Sequence, residues 1–165
     1  MRRGTVLLLG AALACAKAEP PPPPPPATPA VDTAAVTQAA ADFGARFAAA
    51  EKSGNPDSVF ALYAADVRLD VQGMPPLVGR AALDAAVRPM FGTRTITDMQ
   101  LAPNETAVVS NDLVLQGGTF TETYVEKKKT MVEHGRYAST IVKGSDGQWR
   151  FGYLMAIIDS TVAGR

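Results

Sequence analysis

Residues 112–158 read DLVLQGGTFTETYVEKKKTMVEHGRYASTIVKGSDGQWRFGYLMAII, and this stretch decides the fold. Its apolar and polar residues alternate in long runs, which is the strand period. Gly144-Ser145-Asp146-Gly147 is turn chemistry of the kind that joins antiparallel neighbours. Strands are expected over 113–126, 130–143 and 148–158. Upstream, Thr95 to Leu101 and Thr106 to Ser110 read as strands, with a bulge or turn at Pro103-Asn104.

Before these strands the period changes to that of a helix. Val36, Ala40, Phe43 and Phe47 form one apolar stripe, with Asp32 as N-cap and Gly54 as C-cap. Asn55 caps a second helix with Pro56 at its first position, and Val59, Leu62 and Tyr63 are its buried side. Val67, Leu69 and Val71 alternate with Arg68 and Asp70 as a short strand. Gly79-Arg80 opens a third helix on Leu83, Ala86, Val87 and Met90. Helices followed by long antiparallel strands define an α+β domain, with the helices against one face of a curved sheet.

The N-terminus reads as an address. Arg2-Arg3, the apolar run Val6 to Leu13 and the small residues around Cys15 form a secretory signal peptide over residues 1–16. Cys15 is the only cysteine, so no intramolecular disulfide can form. Ala12-Leu13-Ala14-Cys15 resembles a bacterial lipobox, which would make Cys15 the acylated residue. The alternative is ordinary cleavage after Ala16 or Ala18. Lys17, not Asp, follows the cysteine, which by the same resemblance favours the outer membrane. Residues 17–30 form a proline-rich linker. Its unbroken run Pro20 to Pro26 spans roughly 22 Å as polyproline II. The expected home is the bacterial cell envelope, as an outer-membrane lipoprotein facing the periplasm or the surface, or otherwise secreted. The folded domain is expected over 31–165.

The chain balances 16 Lys and Arg against 16 Asp and Glu. Loss of Arg2 and Arg3 with the leader leaves a net charge of about −2. No basic stripe suits a nucleic-acid backbone, and Lys127-Lys128-Lys129 reads as a hairpin tip. One histidine and one cysteine cannot build a zinc set, and neither a calcium loop nor a phosphate loop is present. No metal and no cofactor are expected.

The pieces Leu62-Tyr63-Ala64-x-Asp66, Val78-Gly79-Arg80, Asp112-Leu113, Gly118-Thr119-Phe120, Gly135-Arg136-Tyr137 and Asp146-Gly147-x-Trp149 occur in an order that resembles the SnoaL-like branch of the nuclear transport factor 2-like superfamily. The resemblance covers about residues 33–160 and is nearest a subgroup of small bacterial secreted proteins of unknown function. It implies a cone, in which a strongly bent antiparallel sheet wraps three N-terminal helices around a pocket. It also implies a homodimer. The superfamily holds isomerases, dehydratases, hydrolases and non-catalytic modules, so fold alone does not give activity.

In the steroid-isomerase-like members, a helix-one tyrosine and two strand acids carry the chemistry. The corresponding positions here fall on Phe47, Val71 and near Ser139, none of which can serve. Asp70 neighbours the base position but points to the opposite face unless a one-residue bulge turns it inward, and it is the other catalytic candidate beside His134. His134, the sole histidine, is a candidate general base with Glu133, Asp70 or Asp159 as partner; the plain reading is an exposed or hydrogen-bonded strand histidine. His134, Arg136, Ala138 and Thr140 share one face, and Met131, Glu133, Tyr137 and Ile141 the other. On the last strand, Trp149, Phe151, Tyr153, Met155 and Ile157 share a face, opposite Leu154, Ala156 and Ile158. Phe43, Phe47, Tyr63, Val71, Tyr137, Trp149 and Tyr153 are the candidate pocket wall.

The sequence therefore points to a tethered or secreted, non-enzymatic module for a small-molecule ligand. An enzyme using His134 on a small apolar or aromatic substrate is the second reading, and a structural dimer the third. Replacing Cys15 with Ser is expected to move the protein from the membrane to the soluble fraction of envelope extracts; unchanged membrane retention would reject the acyl anchor.

Overall fold

In the computed structural model, which describes residues 30–164, Asp32 starts the first helix as the caps predict. Its carboxylate accepts the Ala35 N–H at 3.0 Å, and Gly54 closes α1 (Thr33–Ser53) in the left-handed conformation. The satisfied N–H is one of the orphan donors that every helix start leaves. Asn55 then caps the short α2 (Pro56–Phe60) through the Asp57 N–H at 3.0 Å. The leader, Cys15 and the proline run lie outside the described residues.

The remaining elements are β1 (Tyr63–Val71), β2 (Leu77–Val78), α3 (Arg80–Val87), a 3-10 turn (Arg88–Gly92), β3 (Arg94–Ser110), β4 (Leu113–Glu126), β5 (Lys129–Lys143) and β6 (Trp149–Ala163). They form one six-stranded sheet in the order β2-β1-β6-β5-β4-β3. Every neighbouring pair is antiparallel except β1 and β6, which run parallel. The chain must therefore place its last strand between the first strand and β5. Pro103 and Asn104 do make a bulge, and β3 continues through it as one strand.

Two expectations need correction. Tyr63 is not the end of a helix but the first residue of β1. It pairs with Phe151, and the Leu62 carbonyl accepts the Phe151 N–H at 2.9 Å, so sheet pairing overrides the helical spacing of Val59, Leu62 and Tyr63. The faces of β6 also change partway along. Ile141 pairs with Phe151 but Thr140 pairs with Tyr153, so Gly152 is an extra residue. Such a bulge reverses the alternation beyond it. Phe151 faces the helices, and beyond Gly152 so do Leu154, Ala156 and Ile158, while Tyr153 turns outward.

The core lies between α1 and the concave face. Phe151 is its centre, with ring centroids 4.7 Å from Phe43, 5.2 Å from Phe47 and 5.4 Å from Tyr63. The first two contacts are edge-to-face, the arrangement that the ring quadrupoles favour. Phe43 and Phe151 are almost wholly buried. At Gly135 a Cβ would strike the Ile157 carbonyl and the Phe120 ring, so the missing side chain lets Phe120 lie across the strand.

Replacing Phe151 with Ala is expected to cost about 3–5 kcal/mol, because the cavity opens where four rings meet. Urea unfolding would measure it, and a loss below about 1 kcal/mol would remove Phe151 from the centre of the core.

Candidate functional site

The helices do not fill the cone. Beyond the aromatic cluster a cavity of about 390 Å³ remains, walled by α1, the 3-10 turn and the concave faces of β1, β3, β4, β5 and β6. Its lining is mostly apolar, with Leu69, Met99, Leu101, Leu154 and Ile158 among the aliphatic contributors. Volume and lining are those of a small-molecule pocket.

One part of the wall is polar. Glu51, one helical turn beyond Phe47, extends the inward stripe of α1. Glu122 and Glu133 sit directly opposite each other on β4 and β5. Like charges so placed repel unless a cation bridges them. Arg94, at the start of β3, supplies it: its guanidinium donates to Glu122 and stands 4.0 Å from Glu133. The same guanidinium lies 4.6 Å above the Tyr124 ring, and the Tyr124 hydroxyl donates to Glu133 at 2.9 Å. Thr161 adds a longer hydroxyl contact to Glu133 at 3.5 Å. Glu51, Arg94 and Glu122 also wall a smaller adjoining space of about 110 Å³.

Burial and charge together tune these groups. Glu51 is pushed up from the ordinary 4.5 to about 7, chiefly by burial and then by the Glu122 charge, against the opposing pull of Arg94. Burial also raises Glu122, with Arg94 opposing it. Tyr63 is pushed well above its ordinary value by burial and by Glu51, and burial raises Tyr137 to about 12. At neutral pH Glu51 therefore titrates while both tyrosines keep their protons.

Four of the seven wall candidates line the cavity: Phe47, Tyr63, Val71 and Tyr137. Phe43 and Trp149 do not; both are committed to the core around Phe151. Tyr153 does not either, because the Gly152 bulge turns it outward, on the side of Asp70 and Arg68. The two catalytic candidates stand on the outer face and apart. Asp70 takes the Arg68 Nε–H at 2.9 Å, a bond that holds its carboxyl below the usual range. His134 is exposed, 3.2 Å from the Thr121 hydroxyl. Asp70 is level with Met155 and hence with Ala138, so His134 is four residues further along β5, about 13 Å away along the strand. Arg136 is exposed too and pairs with Asp159 at 2.8 Å. Ser139 is buried against the Gln116 carbonyl at 3.3 Å.

Sequence reading thus missed Glu51, Arg94 and Glu122, and met Glu133 only as a partner for His134. A signal existed for the glutamates. Glu51 falls four residues after Phe47 on a stripe that is otherwise apolar, and Glu122 and Glu133 occupy inward positions of their strands. Among the described residues, no group of three or more His, Cys, Asp or Glu converges with metal-holding geometry.

A bent sheet closed over helices around an apolar hollow defines the class, the cone-shaped nuclear transport factor 2-like fold. The SnoaL-like domain model matches residues 45–151, and the chain belongs to that family. No functionally curated protein matches it. Among solved structures, a ketosteroid isomerase-like protein from Erwinia carotovora atroseptica is similar at 20% identity, with 77% of this chain and 95% of that one covered and a TM-score of 0.63. A putative scytalone dehydratase from Novosphingobium aromaticivorans gives 18% identity, 81% and 88% coverage and a TM-score of 0.61. A conserved protein from Planctomyces limnophilus gives 15%, 79% and 99%, with a TM-score of 0.68. At these identities the likeness shows the shared fold.

The raised Glu51 carboxyl sets a pH dependence. Because its folded value lies above the unfolded one, its contribution is fully present below about pH 4.5 and is lost as pH rises through about 7, a loss of roughly 3 kcal/mol. Replacing Glu51 with Gln is expected to flatten that decline and leave the variant the more stable protein at pH 8. Chemical unfolding across the range would check it, and a variant no more stable than wild type at pH 8 would contradict the assignment.

Proposed function

We propose that this protein is a small-molecule-binding module of the cell envelope, taking a ligand with an apolar body into the cone. The single observation that carries this reading is the hollow of about 390 Å³, which the core side chains leave open instead of filling. A structural dimer would have no use for such a space, and well-packed interiors do not keep one without cost. The positions at which steroid-isomerase-like proteins hold catalytic groups are apolar at Phe47 and Val71, which supports binding without turnover.

One observation favours turnover instead. A carboxyl titrating near 7 at the edge of an apolar pocket suits general acid–base catalysis at neutral pH. The similar structures named for isomerase and dehydratase activities add weight to that second reading.

Native mass spectrometry and calorimetry with a panel of small aromatic and alicyclic compounds would test both. Saturable one-to-one binding is expected, and Ala156→Phe, which pushes a ring into the hollow, is expected to weaken it about tenfold or more while unfolding stays cooperative. Absence of saturable binding, or binding indifferent to Ala156→Phe, would overturn the proposal. Ligand recovered unaltered supports a binding module; conversion that disappears in Glu51→Gln supports the enzyme.

A further inference from the structure

The polar wall of the cavity carries more negative charge than the protein neutralises. Arg94 is the only cationic side chain among the residues lining it, and it shares that lining with Glu51, Glu122 and Glu133. Glu122 and Glu133 are already engaged with Arg94. Three carboxyl groups share this wall with one guanidinium, so acidic groups outnumber cationic ones, and ionisation of Glu51 adds negative charge. An anionic ligand would meet repulsion in a setting where water screens little.

Two polar groups beside the cluster are uncommitted. The Glu51 carboxyl makes no hydrogen bond or ion pair with any described residue. The Tyr63 hydroxyl makes none either, although Tyr63 is only 5% exposed. Both line the cavity, and the Glu51 charge acts on Tyr63 within it. Neither group's polar atoms are sealed from the cavity, so a ligand group can pair with them without breaking an existing bond.

Aromatic rings line the same space. Phe47, Tyr63, Phe120, Tyr137 and Phe151 all face it. Ring faces attract cations, and Arg94 over Tyr124 already uses that attraction in this wall. Aromatic walls, surplus carboxylates and an unpartnered hydroxyl converge on one ligand charge.

We propose that the cavity takes a small organic ammonium ion, its apolar body among the aliphatic and aromatic side chains and its N–H groups between Glu51 and the Tyr63 hydroxyl. This inference rests on the ligand-binding reading and adds the chemical class of the ligand. The groups that face Glu51 are Arg94 from β3, Glu122 from β4 and Tyr63 from β1, with Glu133 from β5 behind Arg94. A bound ammonium favours the ionised Glu51, so binding releases its proton and tightens as pH rises through about 7.

Three compounds with one skeleton would test it: 4-phenylbutylamine, 4-phenylbutan-1-ol and 4-phenylbutanoate, titrated calorimetrically into the full chain and into Glu51→Gln and Tyr63→Phe. The amine is expected to bind about tenfold or more tighter than the alcohol, with the carboxylate weakest, because only the cation pairs the free carboxyl. Glu51→Gln should remove most of the amine's advantage over the alcohol, since the amide keeps its hydrogen bonding to either headgroup but carries no charge to favour the cation. Tyr63→Phe keeps the ring and should weaken the amine several-fold. Amine affinity should rise between about pH 6 and pH 8, where the alcohol's does not. An alcohol that binds as well as the amine, or an amine preference that survives Glu51→Gln, overturns the ammonium assignment and leaves the pocket standing. A series in which no member binds overturns the pocket and the assignment together.

Discussion

The packing of three elements on the Phe151 ring is the constraint on which the rest of the structure depends. Phe43 and Phe47 come from α1, Tyr63 from β1 and Phe151 from β6, and their rings meet within 4.7 to 6.3 Å of one another. That contact fixes where the helix lies across the sheet. It closes one part of the cone and leaves the next part open. The pocket is thus a by-product of geometry set by four rings, and Phe47, Tyr63 and Phe151 belong to core and pocket wall alike.

The second determinant is electrostatic. Placing Glu122 opposite Glu133 on inward faces would be unfavourable without Arg94, and holding Arg94 there requires both carboxylates. The Tyr124 ring and hydroxyl fix the guanidinium and Glu133 in relation to each other. Glu51 enters this arrangement without a side-chain partner, and burial, with the Glu122 charge added, holds its proton well above the usual range. A domain gains no stability from such a residue. Its place in the wall makes sense in terms of what the cavity receives.

The fold was largely legible because its signals are local. Asp32, Gly54, Asn55 and Pro56 cap where caps were expected, and β4 runs over the predicted 113–126. The site was legible only in part because it depends on register between distant strands. Tyr153 was assigned inward by a strict two-residue period, and one extra residue at Gly152, crowded against Thr140 and Val142, reversed it. His134 drew attention as the only histidine, whereas side-chain rarity carries no information about which face a strand presents. Arg94 lies at a strand start with no periodic neighbour to betray its direction, and its role appears only when Glu122 and Glu133 are seen side by side.

The parallel pairing of β1 with β6 bears on how the molecule assembles. β3, β4 and β5 form a meander of neighbours in sequence and can zip up from their turns. β1 cannot join them, since its only long partner is the last strand and β6 is inserted between it and β5. Contacts of such wide sequence separation form late and slowly. Until the C-terminal strand emerges, the chain is two fragments with unsatisfied strand edges, and the concave surface that becomes the pocket does not exist. The architecture therefore suits a polypeptide whose folding is deferred until β6 is at hand, and it makes the fifteen residues of that strand the keystone of the sheet and not its trailing edge.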